Sequence, residues 1–119
     1  MPEEPLPLPT TPILAEAQRA AERVIVEQIR HKYNAESEVR LFDGTRVDML
    51  SFDYAYEVDF AAKWAEAVGQ ALWYAIVTGR RPAIVLLVRP GGLDDRYLYR
   101  CLAVAARCGI AVFTEDANS

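Results

Sequence analysis

Six consecutive apolar residues, Ala83-Ile84-Val85-Leu86-Leu87-Val88, stand between Pro82 and a Pro90-Gly91-Gly92 loop, and no other feature constrains the fold of this chain as much. The run is far shorter than the roughly 20 residues that cross a bilayer, so no membrane-spanning segment is expected. It reads instead as a fully buried strand. Such a strand needs helices to cover its sheet, and the rest of the chain supplies them.

A proline-rich stretch over residues 1–12 reads as an extended, flexible arm. The spacing then predicts a helix over 13–32 and a strand over 38–42. Asp43-Gly44 is a two-residue hairpin signal, and the return strand covers 45–50. A turn at 51–53 leads to a strand over 54–58, where Tyr54, Tyr56 and Val58 alternate with Ala55, Glu57 and Asp59. A long helix over 60–78 ends at Gly79. After the apolar strand, Asp94 or Asp95 caps a helix reaching Arg107, and a last strand over 110–113 precedes a polar tail over 114–119. The order α-β-β-β-α-β-α-β predicts an α/β fold: a mixed central sheet flanked by helices, in one domain over 13–113.

The 119 residues, 52% hydrophobic and 25% charged, fit one folded domain. The formal net charge of −4 argues mildly against a nucleic-acid partner. Glu3, Glu4, Glu115 and Asp116 account for all of it, however, leaving 13 bases and 13 acids over 13–113. With one histidine there is no multi-histidine metal site and no His-based triad. Cys101 and Cys108, seven apart on one helix, fit small apolar packing rather than a disulfide. No charged-then-apolar secretory segment opens the chain. The default expectation is therefore cytoplasmic, with a removed leader left open.

Polar residues placed against the pattern carry the functional signal. In the first helix Val24, Ile25, Val26 and Ile29 define the inward stripe, with Glu22 in its middle and Gln18 one turn earlier. A carboxylate aimed at a core needs a partner: an arginine, a groove edge, or a shared ion. In the second helix Lys63, Ala67, Gln70 and Tyr74 fall within about 60° of one another, opposite Val68, Leu72 and Ile76. This wall carries small residues among its polar ones, unlike a solvated face patterned with charges four apart. Asp48 and Glu57 lie on neighbouring antiparallel strands, where one face brings such residues side by side. Paired carboxylates need a cation or a proton between them, and hard oxygen ligands suit Mg²⁺ or Mn²⁺. Asp59, just before the helix, reads equally as an N-cap.

This constellation resembles the PD-(D/E)XK, or restriction-endonuclease-like, nuclease superfamily. The matching residues are Gly44-Thr45-Arg46-Val47-Asp48, then Glu57-Val58-Asp59, then Lys63 and a Gln70-x-x-x-Tyr74 element similar to that of RecB-like members. The resemblance implies an α-β-β-β-α-β core with an additional C-terminal helix and strand. It implies Asp48 and Glu57 as ligands of Mg²⁺ (or Mn²⁺), joined by the Val58 carbonyl and, as in some members, by Glu22. The family lysine belongs two residues after the second acid, where this chain has Asp59. Lys63, one turn into the helix, would serve as a relocated lysine, with Gln70 and Tyr74 positioning the strand.

The implied activity is metal-dependent endonucleolytic hydrolysis of phosphodiester bonds in DNA. The alternative is a weak or inactive nuclease-fold module that binds nucleic acid or protein. Arg80 and Arg81 are candidate phosphate contacts, whereas Arg96, Arg100 and Arg107 read as either phosphate contacts or a solvated face. Nucleases of this fold act as homodimers or within larger proteins, and the sequence selects neither.

Overall fold

The computed structural model describes residues 12–118. Along it run α1 (Pro12–Ile29), β1 (Glu36–Arg40), β2 (Arg46–Leu50), β3 (Tyr54–Phe60), a 3-10 turn (Ala61–Lys63), α2 (Trp64–Thr78), β4 (Arg81–Val88), α3 (Asp95–Cys108) and β5 (Ala111–Asp116). The strands form one mixed sheet in the order β1-β2-β3-β4-β5. The first three are antiparallel neighbours, and β3, β4 and β5 run parallel. The result is an α/β fold with a five-stranded mixed sheet and three helices.

Burial follows the apolar run. Ala83 through Leu87 are fully buried in β4, and their alternation splits the core in two. Ala83, Val85 and Leu87 pack with Ile25, Val26 and Ile29 of α1. Ile84 and Leu86 pack with Ala67 and Ala71 of α2 and Cys101 and Ala105 of α3. Each fully buried aliphatic side chain contributes about 1.5–3 kcal/mol. The sheet's inner strands are therefore the rigid frame on which β3 presents its acids.

Several boundaries differ from the sequence expectation, each for a local reason. The α-helix stops at Ile29 rather than 32, and the chain turns through Asn34, whose φ of 52° is left-handed. Val24 is 58% exposed, so the inward stripe of α1 is narrower than expected. The first hairpin has three loop residues, not two. Leu41 N–H donates to the Thr45 carbonyl, Phe42 takes the exposed tip, and Gly44 supplies φ 89°. This draws β1 back to Glu36–Arg40. Asp94 sits at the start of α3 without capping it: its carboxylate takes the Arg89 backbone N–H and is forked by the Arg89 guanidinium. Of the two cysteines only Cys101 is buried, while Cys108 is exposed.

Residues 114–116 are not tail but the end of β5, paired with β4 up to Val88↔Asp116. Glu115 accepts from Lys32 at 2.6 Å and from the Tyr33 hydroxyl at 2.7 Å. Two of the acids assigned to the tail thus belong to the folded part. The arm expected over 1–12 lies outside the described residues except for Pro12, which opens α1. Among the described residues no helix is long and apolar enough to cross a membrane.

Candidate functional site

The site grows from a break in the edge of the sheet. β1 and β2 pair regularly through Ser37↔Met49 and Val39↔Val47, but Glu38, between those pairs, has φ 49°. Across this kink the side chains change sides: Met49 joins the α1 cluster, whereas Val47 packs with Ala55 and Tyr74. The β2–β3 ladder runs through Leu50↔Ala55 and Met49↔Tyr56. One step further the Asp48 carboxylate, through Oδ2, accepts the Val58 N–H at 2.8 Å.

That step brings Asp48 against Glu57. The two carboxyls lie within hydrogen-bond reach of each other, an interaction that raises Glu57 and lowers Asp48. Glu57 is only 7% exposed, and no N–H or hydroxyl among the described residues reaches its buried Oε2. Burial first, then the negative charges of Asp48 and Asp59, push the Glu57 carboxyl up to about 11. Burial also raises Asp48, although the Val58 N–H and the Glu57 carboxyl pull it back.

A second acid pair lies beside the first. Glu22, from α1, hydrogen-bonds Asp59, from the end of β3. Burial is the largest cause that raises Glu22, to about 8, followed by the charge and hydrogen bond of Asp59 and the charge of Asp48. Glu22 is half-buried at the edge of a groove, as one reading of the sequence expects, and the side chain it meets there is another acid rather than an arginine. Asp59 does not cap α2. Phe60 holds the N-cap position of the 3-10 turn without a side-chain bond, and Asp59 Oδ1 accepts the N–H of its neighbour Phe60 rather than one inside α2. Because a 3-10 turn precedes α2, Lys63 stands at the helix entrance. Its positive charge lowers both Glu22 and Asp59.

The remaining expected residues divide. Tyr74 is buried, and the charges of Glu57 and Asp48 add to burial in raising its hydroxyl, which stays protonated as a donor. Gln70, one turn earlier on α2, is exposed. Val58 is fully buried. In a strand a residue's N–H and C=O point to the same side, so the Val58 carbonyl faces β2 and the acids. Arg80 and Arg81 are not brought to the site. Arg81 pairs with Tyr54 at the start of β3, five residues from Asp59, and stacks over the Tyr54 ring at 4.6 Å.

Comparison with known proteins yields no match. Neither protein-family models, curated proteins nor solved structures match the chain. Among the described residues no three His, Cys, Asp or Glu side chains already form a tight metal-holding group; the four acids meet as two pairs. On the α1 side a cavity of about 230 Å³ opens onto Glu22 and Asp48, lined also by Arg19, Arg23, Val26, Glu38 and Arg46. Sequence reading missed these arginines. Their signal was present but unread: Arg19 and Arg23 flank Glu22 at three residues and one residue, and Arg46 precedes Asp48 by two.

Proposed function

We propose that this chain is a metal-dependent nuclease of the restriction-endonuclease-like class, hydrolysing phosphodiester bonds in DNA. The reading is supported by the antiparallel β1-β2-β3 meander, the crossover through α2, and β4 lying parallel beside β3. The observation that carries it is the convergence of Glu22 with Asp59 and of Asp48 with Glu57 beside Lys63, with Glu57 and Asp59 buried. Two buried acids, Glu57 and Asp59, beside two half-buried ones, Glu22 and Asp48, are costly to gather, and structural packing alone gives no reason to do so.

The residues fit a hard divalent cation. Glu57 Oε2 is buried with no N–H or hydroxyl donor among the described residues, and a cation bound by carboxyls raised as Glu22, Asp48 and Glu57 are would displace their protons. Asp48, Glu57 and the Val58 carbonyl would hold Mg²⁺ or Mn²⁺, with Glu22 at its margin. When bound, the ion supplies positive charge to a phosphate oxygen and makes water more acidic.

The chain's own groups supply the rest. The Lys63 ammonium, already beside the acids, neutralises charge that develops on the phosphorane. It need not lose its proton to do so. The protonated Tyr74 hydroxyl donates from the wall of α2, and Gln70 contacts the strand from the exposed turn before it. No side chain has to act as nucleophile, since water attacks directly.

Nicking of supercoiled plasmid in Mg²⁺ or Mn²⁺ tests this reading, with Asp48→Asn as control. The wild type nicks and the variant does not. Cutting that survives in the variant, or no cutting by the wild type in either metal, overturns it. Plasmid binding without cutting would instead favour an inactive binding module, the reading suggested by Asp59 in the family's lysine position.

A further inference from the structure

Three arginines share a cavity with Glu22 and Asp48. Arg19 and Arg23 project from α1 on either side of Glu22, and Arg46 comes from β2 two residues before Asp48. None makes an ion pair or side-chain hydrogen bond among the described residues, although acids share the same cavity. Arg40 lies directly across from Arg46 in the β1–β2 register. Like charges placed opposite each other on paired strands destabilise a hairpin, and a bound anion offsets that cost. A second, more open groove of about 460 Å³ continues along α1 and again includes Arg19 and Arg23, with Glu16 its single acid.

Free guanidinium groups spread over two adjoining concavities suit a ligand with several phosphates in a row. A single phosphate would need only one cavity and one or two arginines. We propose that Arg19, Arg23 and Arg46, continued by Arg40, form a phosphate track that seats a polynucleotide strand beside the acids, running along α1 and the β1–β2 hairpin. The proposal rests on the nuclease reading for what happens at the acids. It replaces Arg80 and Arg81, at the far end of β3, as the phosphate contacts.

Fluorescence anisotropy of a short 5′-labelled oligodeoxythymidylate with the full chain, at pH 6 in EDTA so that nothing is cut, tests the track. Arg19→Gln, Arg23→Gln and Arg46→Gln should each weaken binding about 3- to 10-fold and lower the slope of log affinity against log salt by about 0.7. The triple variant should lose about 50-fold or more, and an Arg80→Gln/Arg81→Gln control should stay within twofold of wild type. These arginines are exposed, so thermal melting should confirm that the variants remain folded. Absence of binding by the wild type, a folded triple variant within threefold of it, or an equal loss in the control overturns the proposal. Cleavage separates the two readings. A triple variant that nicks plasmid as fast as wild type sinks the track and leaves the nuclease. Arginine-dependent binding by a chain that never cuts keeps the track and sinks the nuclease.

Discussion

Asp48 Oδ2 accepts the Val58 N–H at 2.8 Å, so a side chain on β2 stands where a strand carbonyl would otherwise complete the ladder to β3. The same carboxyl meets Glu57. Asp48 is thus both a sheet contact and a site acid, and the two roles separate by mutation. Asp48→Asn keeps an acceptor for Val58 and removes the charge, so its unfolding free energy should stay within about 1 kcal/mol of wild type. Asp48→Ala leaves a buried N–H unpaired and should cost about 1–3 kcal/mol. Urea unfolding of the two variants at pH 7 checks this; equal losses would show that Asp48 does not complete the ladder.

The clustered acids set the pH dependence of stability. Glu22, Asp48 and Glu57 all hold their protons more tightly folded than unfolded. As pH rises through the ordinary carboxylate range the unfolded chain loses protons first, so stability falls with pH. The decline continues until the folded-state values, about 8 for Glu22 and about 11 for Glu57, are passed. Urea melts in EDTA should show a less stable protein at pH 9 than at pH 6, and Glu57→Gln should remove much of the difference. A flat or rising profile would contradict the buried pairs.

A divalent cation should reverse that decline. Mg²⁺ or Mn²⁺ competes with protons for the same oxygens, so its stabilising effect should be larger at pH 8 than at pH 6. At a hundredfold excess over the dissociation constant the gain is about 2.7 kcal/mol. Differential scanning fluorimetry of wild type and Glu57→Gln gives the answer, since the variant should lose most of the shift. An equal shift in both would place the ion elsewhere.

Lys63 should matter for rate and little for stability. Lys63→Met should lower the nicking rate about 10²- to 10³-fold while keeping most of the metal-induced rise in Tm. A rate within threefold of wild type would remove Lys63 from the chemistry.

Away from the site, Asp94 is nearly buried and takes the Arg89 amide at 2.8 Å and its guanidinium at 2.7 Å. Arg89 is half-exposed, and solvent screens part of the attraction. Asp94→Ala should therefore cost about 1–2 kcal/mol, through loosening of the 89–94 loop rather than loss of a helix cap. The urea midpoint reads it directly.

The central strands were legible because an apolar run between prolines admits few alternatives, and burial of residues 83–87 follows from it. Glu22 was legible for the opposite reason, as a charge on a face that should be apolar, and Asp48 and Glu57 as acids that neighbouring antiparallel strands set side by side. What the pattern could not convey was the change of sides at Glu38 and Asp48. Strict alternation puts Val47 and Met49 on one face, whereas the left-handed backbone at Glu38 accompanies their separation. Asp59 stayed open between a cap and a site acid, because an acid before a helix is a common cap; the intervening 3-10 turn leaves it beside Glu22. The spacing of Arg19 and Arg23 from Glu22 and of Arg46 from Asp48 puts these arginines near the acids, but that they line one cavity depends on how α1 lies against β2, a tertiary relation that spacing does not carry.

The bend at Glu38 reaches beyond the acids. β1 lies at the edge of the sheet, where a straight strand would offer its free N–H and C=O groups to any passing chain. Here Glu36, Glu38 and Arg40 are exposed on that strand, and the left-handed residue between them breaks the straight run a second molecule would need. A kinked, charged edge of this kind resists sheet-to-sheet aggregation.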